Sequence, residues 1–433
     1  MDSLEMSLPQ LKSIREYDLC YGCGVCAAVC PKDCIEMQTL PPGIFRRVVD
    51  ESRCEECKLC VKVCPAIELN RGLSKVIRSC FLGHATDTYI RHQSSSGGVA
   101  TSLLLYLLEA ELVEHVIVAG ELQVTKFGML GRSILTNSKE KVISSKGSKY
   151  APVAIDRALK QVKNTSGNVA VVGLPCHLRG VLKASSLDPS IGRKILITIG
   201  LACNHISTGD GIQQVSKLVG LRESLERVFF RGEGWPGQSL FYGRTSSKTV
   251  PFQKWANAYF TNFLFAAEPC LLCADAGNEV ADLSLADPWP LRLRRPGSGN
   301  TVVAVRSSAG LKYLELAEKN GFIKLEKVDT GAMTDIVKHN EIFKKIYMPY
   351  RWRLLNLKKI SRPLYYPLNT LGRIAALVNS CITYACLKAS TNRAGLLLIY
   401  CLPRRFFAFV DKVADYLKSI PLRTNNRVSE LIQ

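Results

Sequence analysis

Eight cysteines near the N-terminus constrain this chain more than any other feature. Cys20-Tyr-Gly-Cys23-Gly-Val-Cys26-Ala-Ala-Val-Cys30-Pro31 reads C-x2-C-x2-C-x3-C-P, and Cys54, Cys57, Cys60, Cys64 and Pro65 repeat that spacing 34 residues later. Three thiolates on one tight loop cap three irons of a 4Fe–4S cube, while the fourth, a helical turn further on, points to the neighbouring cube. The spacing therefore predicts one cluster on Cys20, Cys23, Cys26 and Cys64, and a second on Cys54, Cys57, Cys60 and Cys30. Gly22 and Gly24 let the backbone close on the inorganic sulfurs. Zinc favours C-x2-C pairs with longer spacers and gives no reason for two Cys-Pro endings. Between the halves, IEMQ, PPG and IFRRVVD predict a small hairpin covering the clusters. Cys34 lies outside both quartets and reads as a buried thiol. Residues 1–75 are thus expected to form a bacterial-type two-cluster ferredoxin domain.

The chain has 433 residues, 47% hydrophobic and 22% charged, with 17 cysteines. Ordinary apolar content without low-complexity tracts excludes disorder as the main state. No run reaches the ~18–20 uncharged apolar residues of a spanning helix, which excludes a polytopic membrane protein. The opening MDSLEMSLPQLKSIREYD has early acids and no apolar stretch, so no secretory signal is expected and the chain reads as cytoplasmic. In a reducing compartment, spaced cysteines point to metal rather than to disulfides.

Residues 76–350 alternate short apolar runs with helical stretches. Strands are expected at 115–119, 169–172, 194–201 and 301–306, and helices at 97–108, 211–219 and 308–319. The alternation predicts an α/β core with a mostly parallel or mixed sheet. Arg91-His-Gln-Ser94-Ser95-Ser96-Gly97-Gly98 precedes a helix, where free N–H groups suit a pyrophosphate; an N-cap with a flexible turn is the plainer alternative. Ser144-Ser145-Lys146-Gly147-Ser148-Lys149-Tyr150 is a basic loop that suits phosphate or ribose, with an aromatic able to stack on a flat ring, or simply a solvated loop. Cys176 and Cys203 each follow a strand, and Cys270 and Cys273 form a C-x2-C. At one edge of a parallel sheet these four thiolates would hold a third cluster. Zinc, or a reactive Cys176 beside His177, are the alternatives. Asp282, Asp287, Trp289 and the Arg231–Gly237 loop read as a cleft wall.

These segments, in order, carry a family resemblance. QSSSGGVATSLL, SKGSKYAPV, VVGLPCHLRGV, the Cys203 segment, RGEGWPG and CLLCADAGNEVADLSLADPW resemble the family of coenzyme F420 hydrogenase/dehydrogenase beta subunits over about residues 8–300. Members bind FAD and iron–sulfur clusters, and several exchange hydride with the deazaflavin coenzyme F420. The fused ferredoxin module is similar to the electron-input subunit of F420H2 dehydrogenases. The resemblance implies that Ser94, Ser95, Ser96, Gly97 and Gly98, with Lys146, Ser148, Lys149 and Tyr150, contact FAD. It also implies that Cys176, Cys203, Cys270 and Cys273 hold the core cluster. His177 stands where the family often has an amide, and Cys203-Asn204-His205 where it often has Cys-His-Gly, which leaves the ring substrate open. No side chain is named as catalytic; His177, His205 and Lys146 are candidate proton donors. The expected activity is flavin- and iron–sulfur-dependent oxidoreduction of coenzyme F420, with a redox partner protein or complex subunit. A ferredoxin-dependent reductase of another conjugated ring, or a non-catalytic electron-transfer subunit, is the rival.

From Arg351 onward 14 Lys/Arg face three Asp/Glu, giving +11 of the overall +20. The apolar stretches 374–387 and 394–402, interrupted by Lys388 and Arg393, are each too short to span a bilayer. A basic helical tail over 351–433 suits an interfacial contact with anionic lipid on the inner face of the membrane, a partner subunit, or a cap on the core. No nucleic-acid reader motif appears, so nucleic acid is not expected. Cys381, Cys386 and Cys401 have no ligand spacing and read as buried thiols.

Overall fold

The computed structural model describes residues 19–67, 74–295, 299–354 and 368–424. Parts of the expected ferredoxin domain (1–18, 68–73) and of the tail (355–367, 425–433) lie outside the described residues.

The N-terminal module has the expected ferredoxin-like design. Each C-x2-C-x2-C loop runs into one short helix, Val25–Ala28 or Leu59–Lys62. Between them β1 (Ile35–Leu40) and β2 (Ile44–Val49) form an antiparallel hairpin in register from Ile35↔Val49 to Leu40↔Ile44. Ile35 and Met37 turn inward while Glu36 and Gln38 face water, the period-2 pattern of a one-sided ribbon. The hairpin turn needs Gly43: its φ is +86°, and a Cβ there would sit 2.1 Å from the Phe127 carbonyl oxygen.

That turn is one of several bolts to the core. Gly209 N donates to Gly43 O at 2.7 Å, and Ile155 N donates to Cys23 O at 2.8 Å. Arg132 pairs with Asp156 and donates to Met37 O at 2.8 Å. Val25, wholly buried, packs against Gly180, where an added Cβ would lie 2.7 Å from the valine Cγ2. Residues 23–63 of the module therefore share one apolar cluster with the core helices Asp156–Val162 and Pro175–Leu187.

The core is a nine-stranded mixed sheet. Its strands are β3 (Ser79–Ala85), β4 (His115–Thr125), β5 (Gly128–Thr136), β6 (Val153–Ala154), β7 (Val169–Gly173), β8 (Ile195–Leu201), β12 (Leu283–Ala286), β13 (Thr301–Val305) and β14 (Ile323–Val328), in the order β14-β3-β13-β12-β8-β7-β4-β5-β6. A separate antiparallel meander holds β9 (Arg227–Phe229), β10 (Gln238–Tyr242) and β11 (Ser247–Pro251). The centre, β12-β8-β7-β4, is parallel, and β13, β3 and β14 pair antiparallel. Val and Ile dominate the central strands because both faces are covered. Ile117, Val169 and Val171 face the ferredoxin side, whereas Val116, Val118, Ala170 and Ile197 pack under helices Val99–Glu109 and Ser308–Lys319.

Most expected element boundaries moved by a residue or two, but the strand expected at 115–119 runs on to Thr125. The helix expected from 97 begins at Val99, because Gly98 at φ +79° is left-handed. The larger departure is the tail. Thr370–Thr391 is one 22-residue helix that runs through Arg373 and Lys388, so it is long and apolar enough to cross a membrane by length and composition. This corrects the expectation that every stretch is too short, which had stopped at each charge. One face of the helix, carrying Ala375, Ala376, Asn379, Ser380, Thr383 and Ser390, is buried in protein. Arg393–Cys401 and Arg404–Thr424 complete the layer. Polar bonds tie it to the core: Phe265 N donates to Ser390 Oγ at 2.9 Å, and Asn262 Nδ2 to Phe407 O at 2.8 Å. Cys381 and Cys401 are exposed rather than buried, since they sit on the outer helix faces.

Candidate functional site

Thiols gather in three groups. Cys20, Tyr21, Cys23, Cys26, Arg47 and Cys64 line one cavity. Burial raises the Cys26 thiol well above its ordinary value, reinforced by Cys20 and Cys23 and opposed by Arg47. Burial likewise raises Cys60, which Arg47 lowers and Cys57, Cys54 and Cys30 raise, so the second group is drawn from both halves of the repeat. Burial pulls the Arg47 guanidinium down, but thiolates of Cys26, Cys64, Cys20 and Cys60 outweigh it. A cation thus lies between the two ferredoxin groups, and no spacing rule marks it. Cys34 is buried as expected, yet its Sγ is only 3.4 Å from Cys30 Sγ.

The third group depends on the sheet. β7 and β8 are parallel, so Leu174-Pro175-Cys176 and Ala202-Cys203 leave the sheet at the same edge. The turn Glu268–Leu272 and Cys273 come up beside them. Burial pushes Cys203 up to about 12 and Cys270 up to about 11, and both feel the Cys273 thiolate. Cys176 is raised by burial and then by Cys23, Cys203, Cys273 and Cys270. The core thiols therefore adjoin the ferredoxin module, Cys176 packing against the buried cluster that includes Cys23. Tyr21 lies in the same gap: its hydroxyl donates to Leu272 O at 3.3 Å, and burial followed by Cys273, Cys270, Cys176 and Cys64 raises its pKa. Among the described residues no trio of His, Cys, Asp or Glu converges as a single-ion site requires. Four thiols and no histidine or carboxylate ligand among them make a donor set that fits a 4Fe–4S cluster.

The two histidines beside these thiols differ. His177 Nδ1 accepts from Leu174 N at 3.3 Å and its Nε2 faces Val153 O at 2.9 Å, so the ring caps the helix start and has no nitrogen left for proton transfer. His205 is sandwiched between Phe260 and Phe263, ring centroids 4.0 and 4.3 Å away, and burial drops its pKa to about 3. Both its ring nitrogens are buried without a hydrogen-bond partner among the described residues.

The glycine-rich loops meet at the same sheet edge, over β3 and β13. Ser148 N donates to Ser95 Oγ at 2.6 Å, which joins the two loops. Gly97 N donates to Thr301 Oγ1 at 2.9 Å, and Ser96 Oγ is 2.8 Å from the same hydroxyl. A Cβ on Gly97 would lie 2.5 Å from Gly83 O. Ser94 Oγ is buried without a hydrogen-bond partner among the described residues. The helix at Val99 starts with no side-chain cap. Lys149 spends its ammonium on its own loop, donating to Ser145 O, to Lys146 O at 3.1 Å and to Gly147 O at 3.2 Å; burial lowers it to about 8. Lys146 is half-buried and lies over the Tyr89 ring, 4.9 Å from its centroid. The Tyr150 ring stacks on Phe252 (5.5 Å, 18°) and tilts against Phe260 at 4.9 Å, so it belongs to an aromatic cluster. Arg231, with no exposed side chain, pairs with Asp287 at 2.7 Å, and Trp235 Nε1 donates to the other Asp287 oxygen at 2.8 Å. Asp287 follows β12, so the cleft wall also stands at this edge. A surface pocket lined by Leu108, Glu111 and Asn168 lies at the opposite edge, before β7, away from the thiols and the two glycine-rich loops.

A ferredoxin-like module bolted to a mixed sheet, with further thiols at the strand ends beside it, defines an iron–sulfur protein. The chain belongs to the family of coenzyme F420 hydrogenase/dehydrogenase beta subunits: residues 80–160 match the N-terminal part of that family and 166–331 the C-terminal part. Residues 19–66 match a 4Fe-4S dicluster domain. The chain is 23% identical to a subunit of the F420H2 dehydrogenase of Methanosarcina mazei, over 71% of this chain and 85% of that one. It is 25% identical to the coenzyme F420-dependent sulfite reductase of Methanocaldococcus jannaschii, over 74% of this chain and 49% of that one. The F420-reducing [NiFe] hydrogenase complex of Methanosarcina barkeri includes a chain similar to this one, with TM-score 0.48 and 20% identity over 63% of this chain and 91% of that chain.

Proposed function

We propose that this chain is a flavin-containing electron-transfer oxidoreductase that connects a reduced deazaflavin-type coenzyme to one-electron acceptors through three 4Fe–4S clusters. One observation carries the reading: Cys54, Cys60 and Cys176 pack against one buried cluster that holds Cys23, Cys26 and Cys30, and Tyr21, which lines the Cys64 cavity, donates to Leu272 O between Cys270 and Cys273, so the three thiol groups adjoin one another. In that series Cys176, Cys203, Cys270 and Cys273 hold the core cluster. Cys20, Cys23, Cys26 and Cys64 hold the next, and Cys54, Cys57, Cys60 and Cys30 the last. The relatives' names support F420 as the organic partner.

FAD, when bound, supplies hydride exchange with a conjugated ring and release of electrons one at a time. The residues at the glycine loops fit its phosphates. An uncapped helix start offers free N–H groups, Ser94 presents an unsatisfied hydroxyl, and Gly97 lets the loop lie close to β3 and β13. Lys149 holds the second loop in shape rather than reaching outward. Arg231, Asp287 and Trp235 give the cleft a rigid wall. His177 spends both ring nitrogens on backbone groups and burial disfavours the charged form of His205, which suits hydride exchange between two flavin-like rings.

The test is composition, on anaerobically purified protein. About twelve irons, matching acid-labile sulfide, and one FAD per chain are expected from three cubes and one flavin, with dye reduction dependent on F420H2. Eight irons without flavin would sink the redox-enzyme reading and leave an electron-transfer subunit. Twelve irons and FAD without F420H2 activity favour another ring substrate.

The tail supports a further contact. Leu371, Ile374, Val378 and Cys381 form an exposed stripe at helical spacing, and Leu397, Phe406 and Phe409 extend the apolar surface nearby. Exposed Arg373, Lys388, Arg393 and Arg405 lie among them. This amphipathic, basic layer supports peripheral docking on anionic lipid.

A further inference from the structure

Lys344 is a deeply buried cation at the core thiols. It lies on the turn Ile342–Ile346, beyond the residues matched by the family, and is 1% exposed. Its ammonium donates to Cys203 O at 2.7 Å and to Asp275 O at 2.7 Å, and reaches Cys273 Sγ at 3.5 Å. Those three atoms belong to the strand-end loop after β8 and to the segment that carries Cys270 and Cys273. Among the described residues it pairs with no carboxylate. Asp275 is already committed to Arg179, at 3.1 Å. Neighbouring Lys345 takes Glu279 and Glu341. Burying an ammonium costs several kcal/mol unless opposite charge and hydrogen bonds offset it. Two carbonyls satisfy its donors, and the negative charge left to meet it is that of the core thiolates.

We propose that Lys344 is the positioning and charge-compensating residue of the core cluster, fixing the Cys203 and Asp275 loops together and raising the cluster's reduction potential. Reduction of a thiolate-bound cluster adds one negative charge, and a fixed cation on a ligand sulfur favours the more negative state. The core cluster then becomes a better one-electron acceptor beside the glycine loops. The inference rests on the core quartet holding a cluster.

Redox titration of the full chain, followed by electron paramagnetic resonance, tests it alongside iron content. In Lys344→Met, twelve irons per chain should remain, following the cluster stoichiometry. One of three midpoints should move negative by at least tenfold in its equilibrium constant, ~59 mV for one electron, while the other two stay. Lys344→Arg should keep the wild-type midpoint within half that shift. Twelve irons with three unmoved midpoints in Lys344→Met overturns the proposal and leaves the core cluster standing. Eight irons in the wild-type chain overturns the core cluster itself, and the proposal with it. If the neutral variants Lys344→Met and Lys344→Gln both lose four irons, retention in Lys344→Arg supports charge compensation and loss in all three overturns it.

Discussion

Ser94 and Ser95 are adjacent and chemically identical, yet their hydroxyls have different fates. Ser95 Oγ is consumed by Ser148 N, which ties the two loops together, whereas Ser94 Oγ is buried and unpartnered beside Gly98. Ser94→Ala should therefore leave thermal stability within about 0.5 kcal/mol, because no protein hydrogen bond is lost. Flavin affinity should fall about three- to tenfold, the worth of one hydrogen bond to a bound ligand. Differential scanning fluorimetry and flavin titration read the two effects; unchanged affinity removes Ser94 from the cofactor site. The same contrast separates Lys146 from Lys149, one reaching over Tyr89 and the other folded back on its own loop. In sequence both are a lysine in a polar loop. Which is available to a ligand depends on where three backbone carbonyls point.

At the scale of elements, the docking of ferredoxin on core turns on a helix–helix contact with no room to spare. The Val25 helix meets the helix Pro175–Leu187 at Gly180, and that helix begins one residue before Cys176. Gly180→Ala should destabilise the chain by about 1–3 kcal/mol through overpacking. Val25→Ala in the same chain should recover part of that loss, with a coupling of about 0.5–3 kcal/mol. Denaturant unfolding of the single and double variants measures it, and strictly additive losses would show that the two helices do not share this contact. The glycine is unremarkable in VVGLPCHLRGV, since its partner is more than 150 residues away. The helix Val99–Glu109 was nearly legible: its apolar run marks the body, and Gly98 in the left-handed region sets the start.

For the whole molecule, the decisive arrangement is that one edge of the sheet collects everything. The parallel strands β7, β8 and β12 deliver Cys176, Cys203 and Asp287 there. The antiparallel β13 starts there at Thr301, and β3 ends there before the glycine loop. The C-terminal layer is joined to this body, yet keeps an apolar and basic outer surface. Wild-type protein is expected to float with vesicles containing anionic phospholipid and not with neutral ones. Ile374→Glu should reduce that binding several-fold, through lost apolar insertion and added like charge against the lipid. Absence of flotation with anionic vesicles would instead leave the surface to a partner subunit.

The ferredoxin module was readable residue by residue because its chemistry is local. Each loop packs three thiols within seven residues, the hairpin alternates with period 2, and the turn glycine sits where φ must be positive. The core thiols could be suspected but not assembled: Cys176, Cys203, Cys270 and Cys273 span almost a hundred residues, and only the parallel order of β7 and β8 puts the first two side by side. Arg47, Tyr21 and Lys344 carried no signal, because a lone cation or phenol acquires meaning only from the thiolates it faces. The tail misled because charge interrupts a hydrophobic count without interrupting a helix. Local spacing thus determined which residues are candidates for cluster binding, while long-range packing decided which thiols meet, what charge accompanies them and which face is left outward. Short-range chemistry is written in consecutive residues; electrostatic neighbourhoods exist only once distant strands have paired.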